Sequence, residues 1–169
     1  MGKVIVFMTM TFDGFVAGPN NELDWMVPTR DQELHHDAVA FLKGFNAGFI
    51  GYPTALGMIA YWSNAAQNPA ASQDEHEIAE VVNKMHPIIV STREEKLELG
   101  NAELLVAKDD NALVEAVTQR KREHRGDLGL PGGVRTAQKF TRLGLVAEFM
   151  LEVHPVAIGH GQTPWSLIV

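Results

Sequence analysis

The feature that most constrains the fold is Pro131-Gly132-Gly133. This glycine pair lies between a β-like run, Asp127 to Leu130, and a helix-like run, Thr136 to Leu143. A strand that turns on glycines into a helix gathers backbone N–H groups and the positive end of a helix dipole at one point, which suits a phosphate or another anion. The same dipeptide is also an ordinary strand-to-helix turn. It has two companions: Gly51-Tyr52-Pro53-Thr54 after one apolar run and Asp13-Gly14-Phe15-Val16-Ala17-Gly18 after another. Three glycine turns at strand ends point to a nucleotide cleft in an open α/β sheet.

The chain between these turns alternates strand and helix patterns. Val4 to Met8 is continuously apolar and reads as a buried central strand. Gly18 to Pro28 reads as a loop plugged by Trp25, and residues 31 to 44 read as a helix. Ala47 to Gly51 is a short strand, and Pro53 suits the first turn of the helix after it. Asn64 to Asp74 is small and polar and reads as a flexible loop. A helix with Ile78, Val81, Val82 and Met85 on one face follows, then strands at Pro87 to Val90 and Glu103 to Ala107, and a helix from about Asn111 to Glu123. Val146 to Val153 reads as a last strand, leading through His154-Pro155 into Val156 to Ile158. With no repeat or linker in between, this order implies one α/β domain with a mainly parallel sheet over residues 1–169.

Composition narrows the function classes. A chain of 169 residues is long enough to bury roughly 70% of its unfolded surface in one domain. A formal charge of −7 argues against a nucleic-acid partner, which needs a basic face, and requires any anionic cofactor to be held by local groups. No apolar run approaches the ~20 residues of a membrane span, and no signal peptide is expected at the start. The absence of cysteine removes disulfides and thiolate chemistry and fits a cytoplasmic location.

Catalytic and metal-binding motifs are mostly absent from the sequence. His35 and His36 are adjacent and so face different sides of a helix, and His76-Glu77-Ile78-Ala79-Glu80 lacks the second histidine of a zinc-hydrolase helix. No metal site is expected, and most histidines are read as surface groups. Neither a Gly-x-Ser-x-Gly elbow nor a phosphate-binding Gly-x-x-x-x-Gly-Lys-Ser/Thr loop occurs.

Over nearly its whole length the chain resembles the dihydrofolate-reductase-like superfamily, in the branch of the riboflavin-biosynthesis reductase domain and its small bacterial relatives. The resemblance runs in order through Thr11 to Gly18, Leu23-Asp24-Trp25, Phe49-Ile50-Gly51-Tyr52-Pro53-Thr54 and Ile88 to Arg93. It continues through Leu130-Pro131-Gly132-Gly133, Gly144 to Glu148, and Pro155 to Pro164. It implies a three-layer αβα fold, a homodimer, bound NADPH and hydride transfer to a pteridine- or pyrimidine-like ring.

By position, the resemblance assigns Ala17 and Gly18 to close approach of the nicotinamide. Thr54, Gly132 and Gly133 fall to the pyrophosphate, Gly51 and Tyr52 to the cofactor in the same turn as Thr54, and Ser91 and Arg93 to the adenosine ribose and its 2′-phosphate. Asp37, four residues before Phe41, matches the catalytic carboxylate of dihydrofolate reductases, and it also reads as a solvated surface acid. Asp13 and Trp25 fall beside the heterocyclic substrate, although Asp-Gly after a strand is equally a turn signature, and Trp25 and Trp62 are equally core residues.

Two departures from the family pattern stand out. The family's Gly-Arg-x-Thr turn has Tyr52 in place of arginine. Losing a charge-assisted bond of roughly 1.5–3 kcal/mol weakens phosphate binding about ten- to a hundredfold, which opens the cofactor to NADH as well as NADPH. The sequence also stops in Trp165-Ser166-Leu167-Ile168-Val169, where relatives continue through a further strand or two. The reading therefore expects one domain without the usual last strand or strands. It sets a reductase against a non-catalytic ligand-binding relative of the same fold.

Overall fold

The computed structural model describes residues 1–29, 32–96 and 102–165. Six strands form one sheet in the order β4-β3-β2-β5-β1-β6. They are β1 (Val4–Thr11), β2 (Ala47–Gly51), β3 (His86–Ser91), β4 (Glu103–Val106), β5 (Leu128–Leu130) and β6 (Glu148–His154). Every neighbouring pair is parallel. Parallel neighbours need crossovers, which the helices supply. They are α1 (Gln32–Lys43), α2 (Tyr52–Gln67), α3 (Gln73–Lys84), α4 (Asp110–Glu123) and α5 (Val134–Arg142), and a 3-10 turn spans Asp24–Thr29.

The helices make two outer layers. Val39 and Leu42 of α1 and Val81 of α3 pack with Ile5, Phe7 and Phe41 on one face, and Ala55, Met58 and Ile59 of α2 cover Ile50 and Ile89 beside them. Leu113 and Val117 of α4 and Ala137 and Phe140 of α5 pack with Val4, Val6, Met8, Phe49, Leu128 and Leu130 on the opposite face. β1 thus alternates, its even residues fully buried and Ile5 and Phe7 half-buried. The strand lies one place from the sheet edge, between β5 and β6, and its continuous apolar run reflects cover on both faces. The sheet centre is tightest where β2 meets β5. There Gly48 pairs with Gly129, and a Cβ on Gly129 would press to 3.2 Å from the Phe45 ring.

Residues 64–74 are not one loop. α2 continues to Gln67, because Ala65 extends its buried face and alanine is the strongest helix former. α3 begins at Gln73, with Ser72 and Glu75 making a reciprocal capping box that leaves only 68–72 between the helices. Val156 to Ile158 lies in the loop after β6, where Ile158 gives its backbone N–H to the Asp13 side chain. The end of the terminal apolar run, 166–169, lies outside the described residues. β6 pairs with β1 alone among the described strands, and Phe149, Met150 and Val153 on it are exposed.

Candidate functional site

The chain leaves β2 through α2 toward β3 and leaves the neighbouring β5 through α5 toward β6, so these helices start side by side and diverge onto opposite faces. This is the switch point of an open parallel sheet, where a crevice opens beyond the carboxyl ends of the strands. Gly51 and Gly133 are the N-caps of α2 and α5, and neither helix start receives a side-chain cap. Their first backbone N–H groups lack intrahelical partners, although Pro53 contributes none to the start of α2. Gly133 holds φ +83°, a conformation that favours glycine. A Cβ there would stand 3.2 Å from Thr54 Oγ1 and 3.6 Å from Thr136 Oγ1, so two hydroxyls converge on the glycine turn.

A cavity of about 750 Å³ opens at this junction, lined by Gly51, Thr54, Gly133, Arg135, Thr136 and Gln138, among others. Its far wall is the pair of loops at Pro19, Asn21, Gly161 and Gln162. Those loops are tied by an antiparallel bridge, with Val16 N donating to Gln162 O and Gln162 N donating to Ala17 O, both at 2.8 Å. Gln138 Nε2 donates to Thr163 O at 2.7 Å and fixes the same wall to α5.

A second cavity of about 300 Å³ shares Gly51, Pro53, Arg135 and Thr136 with the first and runs on past Tyr52, Ser91, Arg93 and Glu95. Arg93 Nε donates to Glu95 Oε1 at 2.8 Å, and this bond holds the guanidinium pKa above its ordinary value. Ser91 Oγ donates to the same oxygen at 3.4 Å and accepts from Arg93 N at 3.2 Å. Lys139 also faces this cavity and pairs with Asp110 at 3.2 Å, while Arg142 pairs with Asp110 at 2.7 Å. Arg142 first and Lys139 second hold the Asp110 carboxyl below its usual range.

The structure sorts the residues singled out from sequence. Gly51, Thr54 and Gly133 line the larger cavity, and Gly51, Tyr52, Ser91 and Arg93 the smaller. Ala17, Gly18 and Gly132 adjoin the larger one through Pro19 and Gly133. Asp13, Trp25, Asp37 and Trp62 line neither. Asp13 accepts from Thr11 Oγ1 at 2.6 Å and from the backbone N–H of Ile158 and Gly159. Trp25 is buried edge-on against His154, their ring centroids 5.5 Å apart. Asp37 is exposed on α1, and Trp62 sits on α2 against Tyr61.

Most histidines read as surface groups from sequence, and two, His35 and His154, are buried. His35 Nε2 lies 3.3 Å from Glu77 Oε2, an acidic partner on α3 that offsets burial of the ring. That contact, with Lys43, keeps the Glu77 carboxyl below its usual range. Among the described residues no group of three or more His, Asp or Glu could hold a metal ion, and no helix is long and apolar enough to cross a membrane.

Sequence reasoning missed Arg135, Thr136, Lys139 and Glu95. The overlooked signal was Arg135 itself, a cation in the first turn of α5, which carries no acidic residue there. A helix dipole disfavours a cation at that end, which makes Arg135 the unusual residue of this turn.

Residues 2–167 match the family model described as the RibD C-terminal domain. Among curated proteins, the chain is 27% identical over 167 residues to the uncharacterized protein YyaP of Bacillus subtilis (strain 168), covering 95% of this chain and 78% of that one. Among solved structures it is similar to a putative riboflavin biosynthesis protein from Shewanella sp. PV-4, with TM-score 0.70, 21% identity, and coverage of 96% of this chain and 82% of that one. A diaminohydroxyphosphoribosylaminopyrimidine deaminase/5-amino-6-(5-phosphoribosylamino)uracil reductase from Thermotoga maritima matches with TM-score 0.63 and 13% identity over 98% of this chain and 48% of that one. Dihydrofolate reductase from Enterococcus faecalis, complexed with NADP(H), matches with TM-score 0.51 and 11% identity over 98% and 80%. The fold is dihydrofolate-reductase-like, as the order of motifs in the sequence implies.

Proposed function

The chain belongs to the RibD C-terminal domain family, and from that premise we propose that it is an NAD(P)H-dependent reductase acting on a small pteridine- or pyrimidine-like heterocycle. The observation that carries this reading is the meeting of two uncapped helix starts, the Thr54 and Thr136 hydroxyls and the Arg135 guanidinium at one cavity. That donor set fits a pyrophosphate: backbone N–H groups and hydroxyls donate to its oxygens, and one cation offsets its charge. From this junction the larger cavity reaches the loops at Pro19 and Gly161 and the smaller one passes Tyr52, Ser91 and Arg93, room for the two halves of a dinucleotide. Ala17 and Gly18, small residues that adjoin the larger cavity through Pro19 and are bridged to Gln162, are the positions we assign to the approach of a flat ring. When bound, the reduced nicotinamide supplies the hydride.

For the protein's own part, Thr54, Thr136 and Arg135 bind and orient, and the loops at Pro19 and Gly161 shield the ring end from water. Asp13 holds the loop after β6 through Ile158 and Gly159, and Trp25, packed against His154, is assigned to the substrate side. The proton is the open step. Asp37→Asn is the first variant to assay, and unchanged turnover would make Asp37 a surface group. The reading also carries a cytoplasmic location and a homodimer, in which a second copy covers Phe149, Met150 and Val153 on β6. Sedimentation of the purified chain tests the dimer.

The main test is titration of the full chain with NADPH and NADH, read by tryptophan fluorescence and calorimetry. Loss of reduced-nicotinamide absorbance across a panel of pterins and pyrimidines follows. Micromolar binding with turnover supports the reductase, and a folded sample silent to both cofactors overturns it. One observation favours a non-catalytic relative: the described lining of the larger cavity holds no carboxyl or imidazole to move a proton. Tight cofactor binding without turnover across the panel would select that reading.

A further inference from the structure

Of the described residues lining the two cavities, Glu95 alone carries a carboxylate. Its side chain is only 14% exposed, whereas that of Arg93 is 79% exposed. Glu95 draws both Arg93 Nε and Ser91 Oγ onto one oxygen, Oε1. The two groups placed to hold a phosphate on the adenosine ribose are thus engaged by the protein's own anion. Tyr52 beside them adds a hydroxyl and no charge. Lys139 is held by Asp110, and Arg135 stands at the junction with the larger cavity, where the pyrophosphate would take it.

A 2′-phosphate entering this cavity would meet a shielded carboxylate. Both groups are acceptors, and both are negative. A ribose diol meets the opposite situation, since its hydroxyls donate and a carboxylate with a remaining oxygen accepts. An acidic side chain on the ribose 2′-hydroxyl is how other dinucleotide folds choose the unphosphorylated cofactor. Resting on the reading of the two cavities as a dinucleotide site, we propose that Glu95 selects an unphosphorylated adenosine ribose, so that the chain takes NADH in preference to NADPH. Arg93 is then a positioning residue that holds the Glu95 carboxylate in the cavity wall.

The test is calorimetric and fluorescence titration of the full chain and of Glu95→Gln with NADH and NADPH. Adenosine 5′-monophosphate and adenosine 2′,5′-bisphosphate serve as probes of the ribose end alone, and melting curves verify folding. The wild type is expected to bind NADH about tenfold or more tightly than NADPH, and Glu95→Gln to narrow that ratio by about tenfold, chiefly by tightening NADPH. The nucleotide pair should follow the same order. Arg93→Ala releases the Glu95 carboxylate from the cavity wall and is expected to narrow the ratio, whereas a widened ratio would mean that Arg93 itself binds the 2′-phosphate and would overturn its positioning role. A wild type that prefers NADPH, or a ratio unmoved in a folded Glu95→Gln, overturns the role of Glu95 while leaving the dinucleotide site standing. Failure to bind any of the four ligands overturns both.

Discussion

The Asp13 carboxylate accepts the backbone N–H of Gly159 at 2.7 Å across 146 residues of sequence, joining the end of β1 to the loop that follows β6. Thr11 Oγ1 completes the set at 2.6 Å, and Ile158 N lies at 3.1 Å. The Thr11 hydrogen bond first, and the two backbone N–H groups after it, keep this carboxyl below its ordinary value of 3.8. A depressed folded-state pKa stabilises the fold above the unfolded value, and that contribution is lost as pH falls from 3.8 through the lowered value. Asp13→Asn, which turns an amide N–H toward these donors, should melt several degrees lower than wild type near neutral pH. The gap should close on acidification through that window. Thermal melts over a pH series check this, and a constant gap at every pH would remove the titration argument.

Gly133→Ala probes the turn itself. At φ +83° an alanine carries the left-handed penalty of about 1–2 kcal/mol, and its Cβ would sit 3.2 Å from Thr54 Oγ1. We expect a lower melting temperature and weaker dinucleotide binding together, because the same displacement moves the first N–H groups of α5. Thr54→Val is the control. It keeps the shape and removes the hydroxyl, so binding should fall with little change in melting. If both variants bind as wild type does, the turn holds no phosphate.

The sheet and its helices were legible because periodic apolar runs follow from which faces are buried. α1, β2 and α4 lie within a residue or two of their expected bounds. The α2 boundary was not, since Asn64-Ala65-Ala66-Gln67 is compatible with loop or helix and the burial of Ala65 decides it. The turns at Gly14, Gly132 and Gly133 were readable because the requirement for positive φ is local, whereas Gly51 caps α2 at φ −66°. Glu95 and Lys139 were not, because their place in the smaller cavity depends on how β3 and α5 meet in space. The same holds for Asp13, whose partners Ile158 and Gly159 lie at the far end of the sequence.

Phe140 links core and site. Its ring is fully buried, meets Phe49 at 5.2 Å between centroids, and forms part of the smaller cavity wall. Phe140→Ala should cost about 3–5 kcal/mol, a large share of the ~5–15 kcal/mol available to a domain. Urea denaturation would read it as a lower midpoint at an unchanged slope. A cost below about 1 kcal/mol would mean that the cavity side of α5 is not anchored through this ring.

Arg135 separates stability from binding. The side chain is exposed, belongs to none of the ion pairs among the described residues, and stands in the first turn of α5. Removing a cation from a helix N-terminus slightly favours the helix, so Arg135→Ala should melt at or just above the wild-type temperature. Dinucleotide affinity should move the other way, falling about ten- to a hundredfold for one charge-assisted contact of roughly 1.5–3 kcal/mol. The wild-type affinity should weaken with added salt, and the variant's should depend on salt less steeply, since one exposed charge no longer takes part. Opposite signs for melting and binding in the same protein would mark Arg135 as a residue kept for an anion at a cost to its helix. A variant that loses neither affinity nor salt sensitivity would leave the backbone N–H groups and the two threonine hydroxyls as the whole of the phosphate site.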